Sequence, residues 1–221
     1  MAKNRILIII PIYNCYSYFF KMIPLLNHLP YDKLIVDDGS EKIPKKIFKL
    51  TNFQIIKHTR NKGKGEALKT GFRYANNNNY SGVFTIDGDN QHDPMDISNF
   101  VPHLDKFDLI VGKRNFKSKK MPLIRKTSNY LTSKILSKIL NYKIEDAQSG
   151  YRYINIKILK NIYLETSNYD LENELLIKAI KNNYRVGFIP VKTIYNKSKS
   201  NIRGFKDTFN FLKTVVKYGF K

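Results

Sequence analysis

Phe84-Thr85-Ile86-Asp87-Gly88-Asp89-Asn90-Gln91-His92-Asp93-Pro94 is the stretch on which the reading of this chain turns. An apolar strand, Gly82 to Ile86, runs straight into two carboxylates two residues apart. Residues i and i+2 of an extended chain point to the same side, so Asp87 and Asp89 aim at one place. Gly88 leaves the backbone between them uncovered, and Asn90-Gln91 adds amide oxygens. Pro94 suits the first position of a following helix. Paired hard oxygen ligands at a strand end fit a divalent cation that keeps positions open for phosphates. The competing reading is a solvated acidic turn. An EF-hand calcium loop is excluded, because its glycine position is His92 and its closing glutamate position is Ser98.

Outward from this stretch, buried strands alternate with helices. Arg5 to Ile10, Lys33 to Val36, Gln54 to His58, Tyr80 to Ile86 and Leu109 to Val111 read as strands. Tyr16 to Leu29, Lys45 to Leu50, Glu66 to Ala75 and Met95 to Leu104 read as helices between them. This alternation predicts an α/β fold with a mostly parallel central sheet flanked by helices. Tyr13-Asn14, Asp37-Asp38, Asn61 and Asp87-Asp89 each fall at the C-terminal end of a strand. In open α/β sheets the ligand crevice lies along that edge, so motifs distant in sequence share one rim. Further on, Thr127 to Leu140 places Leu131, Ile135, Leu136, Ile139 and Leu140 on one helical face. A helix over Leu171 to Lys181 and a strand over Arg185 to Ile194 follow.

The 221 residues suffice for one sizeable core, and 42% hydrophobic content supports a folded globule. A single cysteine, Cys15, excludes an internal disulfide framework and fits a reducing, cytoplasmic compartment. No segment reaches membrane-spanning length without charges. The formal net charge of +21 fits a polyanionic partner: nucleic acid, an anionic membrane face or phosphorylated substrates. Compositional drift toward Lys, Asn, Ile and Tyr explains the same excess without a partner.

The motifs in this order resemble glycosyltransferase family 2, with its GT-A fold, and specifically its polyprenyl-phosphate branch. ILIIIPIYN (6–14 within it) resembles the opening strand and nucleotide loop, IVDDGS the second nucleotide turn, and NKGKGEAL the N-x-GKG-x-A turn. TIDGDNQHDP resembles the branch's metal motif, VGKR its G-S-R, and DAQSGYR its D-x-x-SG-[FY]-R. The chain departs from the pattern at Cys15, where the family usually has Glu, at Glu41-Lys42-Ile43, and at Asn183.

The resemblance implies a single catalytic domain over 1–221. A nucleotide-sugar and metal-binding half (1–115) precedes an acceptor-side half (116–221) with a helical appendage and an amphipathic tail, Phe205 to Phe220. It implies Mg²⁺ or Mn²⁺ held by Asp87, Asp89 and Gln91, and a nucleotide-diphosphate sugar contacted by Pro11, Tyr13, Asn14, Asp37, Asp38, Lys64, Asp87, Gly88 and Lys199. Arg114, Arg125, Ser149 and Arg152 would hold an acceptor phosphate, and Glu172 aligns with the carboxylate that serves as base for hydroxyl acceptors. For Asp37 and Asp38, turn stabilisation is an equal alternative. Gly63 and Gly65 would let backbone approach the ligand. The expected acceptor is a polyprenyl phosphate at the cytoplasmic membrane face, reached through an anionic lipid surface or a membrane-embedded partner subunit. A saccharide hydroxyl acceptor is the alternative within the family. A nucleotidyltransferase lacks support, since PIYNCYSY is not a basic nucleotide loop. Nucleic acid is not expected, because a rim of carboxylates repels phosphate unless a metal intervenes.

Overall fold

A computed structural model describes residues 5–50, 52–115, 123–168, 170–194 and 217–219. The strands are β1 (Ile6–Ile12), β2 (Asp32–Asp37), β3 (Phe53–Lys57), β4 (Gly82–Thr85), β5 (Leu109–Arg114), β6 (Arg152–Asn155) and β7 (Val186–Val191). The helices are α1 (Tyr16–His28), α2 (Lys64–Asn77), α3 (Ile97–Phe100), α4 (Leu123–Leu140), α5 (Ile156–Asn161) and α6 (Leu171–Lys181). One seven-stranded sheet runs β3-β2-β1-β4-β6-β5-β7, parallel throughout except for β6, which is antiparallel to both neighbours. The α/β expectation with a mostly parallel sheet therefore holds.

The chain builds outward from β1 to β3 and returns to lay β4 on the other side of β1. That reversal puts the topological switch point between β1 and β4, where such sheets open a crevice at the carboxyl ends. Alternate residues of β1 serve opposite cores. Leu7 and Ile9 pack with α2, α5 and α6 residues such as Phe72, Ile158 and Leu175. Ile8 and Ile10 pack with Phe19, Met22 and Leu26 of α1 and with Ile97 and Phe100 of α3. Both faces are covered, which is why the strand reads as an unbroken apolar run.

The structure amends three sequence expectations. The helix expected over Met95 to Leu104 is a 3₁₀ turn at Pro94–Asp96, the short α3 and another 3₁₀ turn at Val101–His103. Pro102 supplies no backbone N–H there and interrupts the α-helical ladder. β6 escaped notice because four residues flanked by Arg and Asn carry no apolar run. Its antiparallel direction brings Asp146 to Gly150 to the same rim as the end of β4. Among the described side chains of α4, Leu136 is in the core and Ile139 and Leu140 pack against it as the pattern predicts, but Leu131 is 60% exposed and Asn129, Thr132 and Ser133 are buried as well. The hydroxyls are buried because they hold the next loop. Ser133 Oγ accepts from Ala147 N, Ser137 Oγ from Ile144 N, and Thr132 Oγ1 from Gln148 Nε2.

At the far end of the sheet, Asp108 accepts from Arg185 N, Nε and NH2 and pairs with Lys157 at 2.7 Å. Burial pushes this carboxyl upward, but Arg185 and Lys157 outweigh it and hold it well below the ordinary range. A depressed carboxyl contributes stability above its unfolded pKa of about 3.9 and loses it as pH falls through the folded value. Asp108→Asn should therefore melt below the parent at pH 7, with the gap narrowing below about pH 4. A constant gap across thermal melts from pH 7 to pH 3 would contradict this account.

Candidate active site

The rim begins at the switch point. Tyr13 and Asn14 leave β1, and Asn14, in a left-handed conformation at φ 51°, ties two loops together. Its N–H donates to Ser40 Oγ at 2.9 Å, and its Oδ1 accepts from Glu41 N at 3.1 Å. Asp37 accepts from Tyr16 OH and from Ser40 N. Asp38 accepts from Lys62 N, Gly63 N and His58 Nδ1. Both carboxylates are buried, so of the two readings open for them, holding turns is the one that the geometry displays.

Across the switch, Gly88 packs on β1: a Cβ there would lie 2.9 Å from Ile12 Cγ1 and 3.1 Å from Pro11 O. Asp89 Oδ1 accepts from Gln91 N at 3.0 Å, and Asn90 turns the chain at φ 60°. The Cys15 thiol lies among these acids. Burial pushes it up to about 12, with Asp89, Asp87 and Asp37 adding to the effect. Among the described residues, no three His, Cys, Asp or Glu side chains form a ready-made metal cage.

Asp87 leads to the centre of the site. Its Oδ1 lies 2.7 Å from Lys64 Nζ, and the same ammonium donates to Glu172 Oε1 at 3.0 Å. Burial opposes the charge on Lys64, yet Asp87 and Glu172 hold its pKa above the ordinary value. Burial likewise opposes the Asp87 carboxylate, and the Lys64 ammonium, with Arg114 adding to it, reverses the balance and keeps it ionised. A Cβ on Gly150 would fall 2.6 Å from Asp87 Oδ2 and 2.8 Å from Lys64 Nζ, so a larger residue there would have to push the ion pair aside.

Arg114, at the end of β5, meets Asp146 in a two-pronged pair, Nε to Oδ2 at 2.8 Å and NH2 to Oδ1 at 2.9 Å. Asp146 is fully buried, and this pair raises Arg114 against the cost of burial. The orientation of the guanidinium is thus fixed before any ligand arrives. Arg152 departs from expectation. It is 1% exposed, and Nε, NH1 and NH2 donate to Ser149 O, Glu172 O and Ala147 O. It clamps the loop before β6 to the start of α6 and does not face an acceptor. Ser149 is also fully buried, with Oγ accepting from Tyr151 N at 3.4 Å.

Gly63 and Gly65 are also corrected. Cβ atoms there would fall within about 2.6 Å of Ser167 and Asn168, so their close approach is to the chain's own loop, not to a ligand. Sequence reasoning passed over two members of the site. Asp146 opens the DAQSGYR motif but carries no role in the sequence reading, because its pairing with Arg114 joins segments 32 residues apart. His92, which enters the sequence reading only as the residue that excludes an EF-hand loop, is buried beside Asp87, with Nδ1 finding no partner among the described residues. Burial drives its pKa down to about 4, so it is neutral at pH 7. Lys199, the side chain of Arg125 and nearly all of the tail from Phe205 lie outside the described residues. Where the tail is described, Lys217 pairs with Glu165, and Tyr218 is buried against the core under Lys178.

Lys64→Met should leave Asp87 and Glu172 facing each other without a cation. Breaking a buried pair typically costs about 3–5 kcal/mol, and a domain of this size shifts about 2–4 °C per kcal/mol. Urea unfolding at pH 7 should show that loss, and a variant as stable as the parent would mean the bridge contributes nothing.

The sequence profile described as glycosyl transferase family 2 matches residues 7–163. The UDP-N-acetylglucosamine–dolichyl-phosphate N-acetylglucosaminyltransferase of Methanococcus voltae is 34% identical over 88% of this chain and 88% of its own. The undecaprenyl-phosphate mannosyltransferase of Micrococcus luteus is 25% identical over 85% and 82%. In structure, the chain resembles glucosyl-3-phosphoglycerate synthase of Mycobacterium tuberculosis, solved with Mn²⁺, UDP and glucosyl-3-phosphoglycerate. The TM-score is 0.75 at 16% identity, covering all of this chain and 82% of that one.

Proposed function

This chain belongs to glycosyl transferase family 2, and we propose that it moves a sugar from a nucleoside-diphosphate donor to a polyprenyl phosphate, inverting the anomeric centre. The observation that carries the reading is the wall-to-wall charge arrangement at the switch point. Asp87, Asp89 and Gln91 stand at the end of β4, with Lys64 and the oriented Arg114 beside them. The polyprenyl-phosphate acceptors named for the Methanococcus and Micrococcus relatives support the acceptor class.

The donor set fits a divalent cation. Two carboxylates and an amide oxygen are hard ligands, and the low pKa of Asp87 keeps it anionic. Asp87, Asp89 and Gln91 would hold Mg²⁺ or Mn²⁺, which when bound neutralises charge on the departing diphosphate. The protein's own groups do the rest. Lys64 adds a second cation on the diphosphate side. Pro11, Tyr13, Asn14, Asp37, Asp38 and Gly88 shape the nucleotide cleft, mostly through the loops they brace. Arg114, pre-aimed by Asp146, holds the acceptor phosphate together with Arg125, and Lys199 joins Lys64 on the donor diphosphate. An acceptor oxygen attacks the anomeric carbon as the carbon–oxygen bond to the nucleoside diphosphate breaks, and the bonding pair leaves with the diphosphate. A phosphate acceptor is already ionised near neutral pH and needs no base. Glu172, buried and bonded to Lys64, then orients the cation.

A polyprenyl acceptor confines the reaction to a membrane surface. Among the described residues, no helix is long and apolar enough to cross a membrane. On α4, exposed Tyr130 and Leu131 sit with Lys134, whose Nζ lies 4.9 Å from the Tyr130 ring, a pairing suited to an anionic interface. The exposed α4 patch supports our reading of a peripheral enzyme at the cytoplasmic membrane face, with or without a membrane-embedded partner.

Asp89→Ala should abolish nucleoside-diphosphate release with Mn²⁺ and a short polyprenyl phosphate while the fold persists by circular dichroism. Retained turnover in metal-free buffer would sink the metal-dependent reading. Glu172→Gln divides the acceptor classes. Losing a general base typically costs about 10²–10⁴ in rate. A phosphate acceptor predicts a far smaller loss in kcat, and a loss in that range at unchanged nucleotide affinity would favour a saccharide hydroxyl.

A further inference from the structure

His58 occupies a point where three elements meet, and nothing in the chemistry above uses it. Its backbone N–H donates to Asp37 O at 2.8 Å, one step beyond the β2–β3 ladder. Its side chain is buried between Asp38, at the end of β2, and Thr70, in the second turn of α2. Nδ1 lies 2.7 Å from Asp38 Oδ1, and Nε2 lies 2.9 Å from Thr70 Oγ1. An ionised carboxylate only accepts, so Nδ1 carries the proton. Thr70 Oγ1 accepts in turn from Arg73 NH2 at 3.0 Å.

The order Thr-His-Asp is that of a hydrolytic triad, but the geometry is not. The imidazole sits under the rim, and Asp38 uses its remaining acceptor capacity on Lys62 N at 3.0 Å and Gly63 N at 2.8 Å. Those two N–H groups belong to the turn that delivers Lys64. Gly63 there adopts φ 98°, and the other side of the turn rests on Ser167 and Asn168. A buried carboxylate with three donors is fixed in orientation, and removing one donor frees it to rotate toward another partner.

We infer that His58 is a positioning residue for Lys64: it locks the Asp38 carboxylate against Thr70, and Asp38 sets the Lys62–Gly63 turn from which Lys64 reaches Asp87 and Glu172. The consequence for nucleotide affinity rests on the donor-side role proposed for Lys64.

Two substitutions split the imidazole's two bonds. In His58→Asn the amide nitrogen falls near the place of Nδ1 and keeps the bond to Asp38. In His58→Gln the amide reaches toward Thr70 and gives up Asp38. Thr70→Val removes only the outer contact. Hydrogen–deuterium exchange on the full chain without ligand should show at least ~10-fold faster exchange at residues 62–66 in His58→Gln, and near-parent exchange in His58→Asn. Titration with UDP and with GDP in the presence of Mn²⁺ should show about tenfold weaker binding for His58→Gln only. Thermal melts of all three variants report any general loss of fold. Equal exchange at 62–66 in parent and His58→Gln overturns the positioning role. Faster exchange with unchanged nucleotide affinity overturns its link to the donor. A parent chain that binds neither nucleotide overturns the donor-side reading itself, whatever the exchange data show.

Discussion

The Lys64 ammonium is the point on which the two halves of this molecule close. Asp87 reaches it from the end of β4 and Glu172 from the first turn of α6, residues far apart in sequence. Two carboxylates in a buried site repel strongly, and a single cation between them turns that cost into attraction. Because Lys64 begins α2, the position of that helix is tied to both. The glycines around it follow from this constraint. Gly150 makes room beside the ion pair, and Gly63 and Gly65 let the loop at Ser167 lie flat on the turn, where Glu66 N donates to Ser167 O.

The switch point supplies the complementary geometry. A sheet that grows from β1 to β3 and then returns to β4 must part its loops between β1 and β4. The chain fills that gap with Gly88 against Pro11 and Ile12, and with acids on the solvent side. The antiparallel β6 contributes a third loop to the same rim. An all-parallel continuation would have sent Asp146 to Gly150 to the opposite end of the sheet, leaving Arg114 without Asp146.

Much of this was legible in the sequence, for definite reasons. Ile6 to Ile12 and Leu34 to Val36 are apolar on every residue because both faces are covered, and a double-faced core leaves an unbroken signature. Asp87 and Asp89 stood out as paired acids after an apolar run, although the strand expected to reach Ile86 ends at Thr85 and Gly88-Asp89 form a turn, so strand alternation does not set their directions. What stayed hidden depends on partners distant in sequence. Asp38 and His58 look like a turn residue and a stray imidazole until their strands lie side by side. Four-residue β6 has no periodicity to read. The α4 face was legible in Leu136, Ile139 and Leu140, which pack in or on the core, but not in Thr132 and Ser133, because hydroxyls that satisfy loop N–H groups count as polar in any hydropathy pattern. Charge was the least informative feature. A net +21 says nothing of which cations are structural, and Lys33, Arg152 and Lys64 are spent inside the fold.

The division of labour between Arg152 and Lys64 follows from the shape of their head groups. Both grip Glu172, one through its carbonyl and the other through its carboxylate. Arg152 must satisfy carbonyls from Ala147, Ser149 and Glu172, which lie in two separate segments, and a planar fork with five N–H donors spans them at once. Burial lowers its pKa, with the neighbouring acids Glu172 and Asp146 working against that fall, so the guanidinium survives where an ammonium would surrender its proton. Lys64 faces the opposite demand. It sits between two anions, and a compact charge at the end of a four-carbon stem meets Asp87 at 2.7 Å and Glu172 at 3.0 Å at once. A planar clamp therefore holds the backbone of Glu172 while a point charge holds its carboxylate, so that both ends of this residue are fixed where β6, α2 and α6 meet.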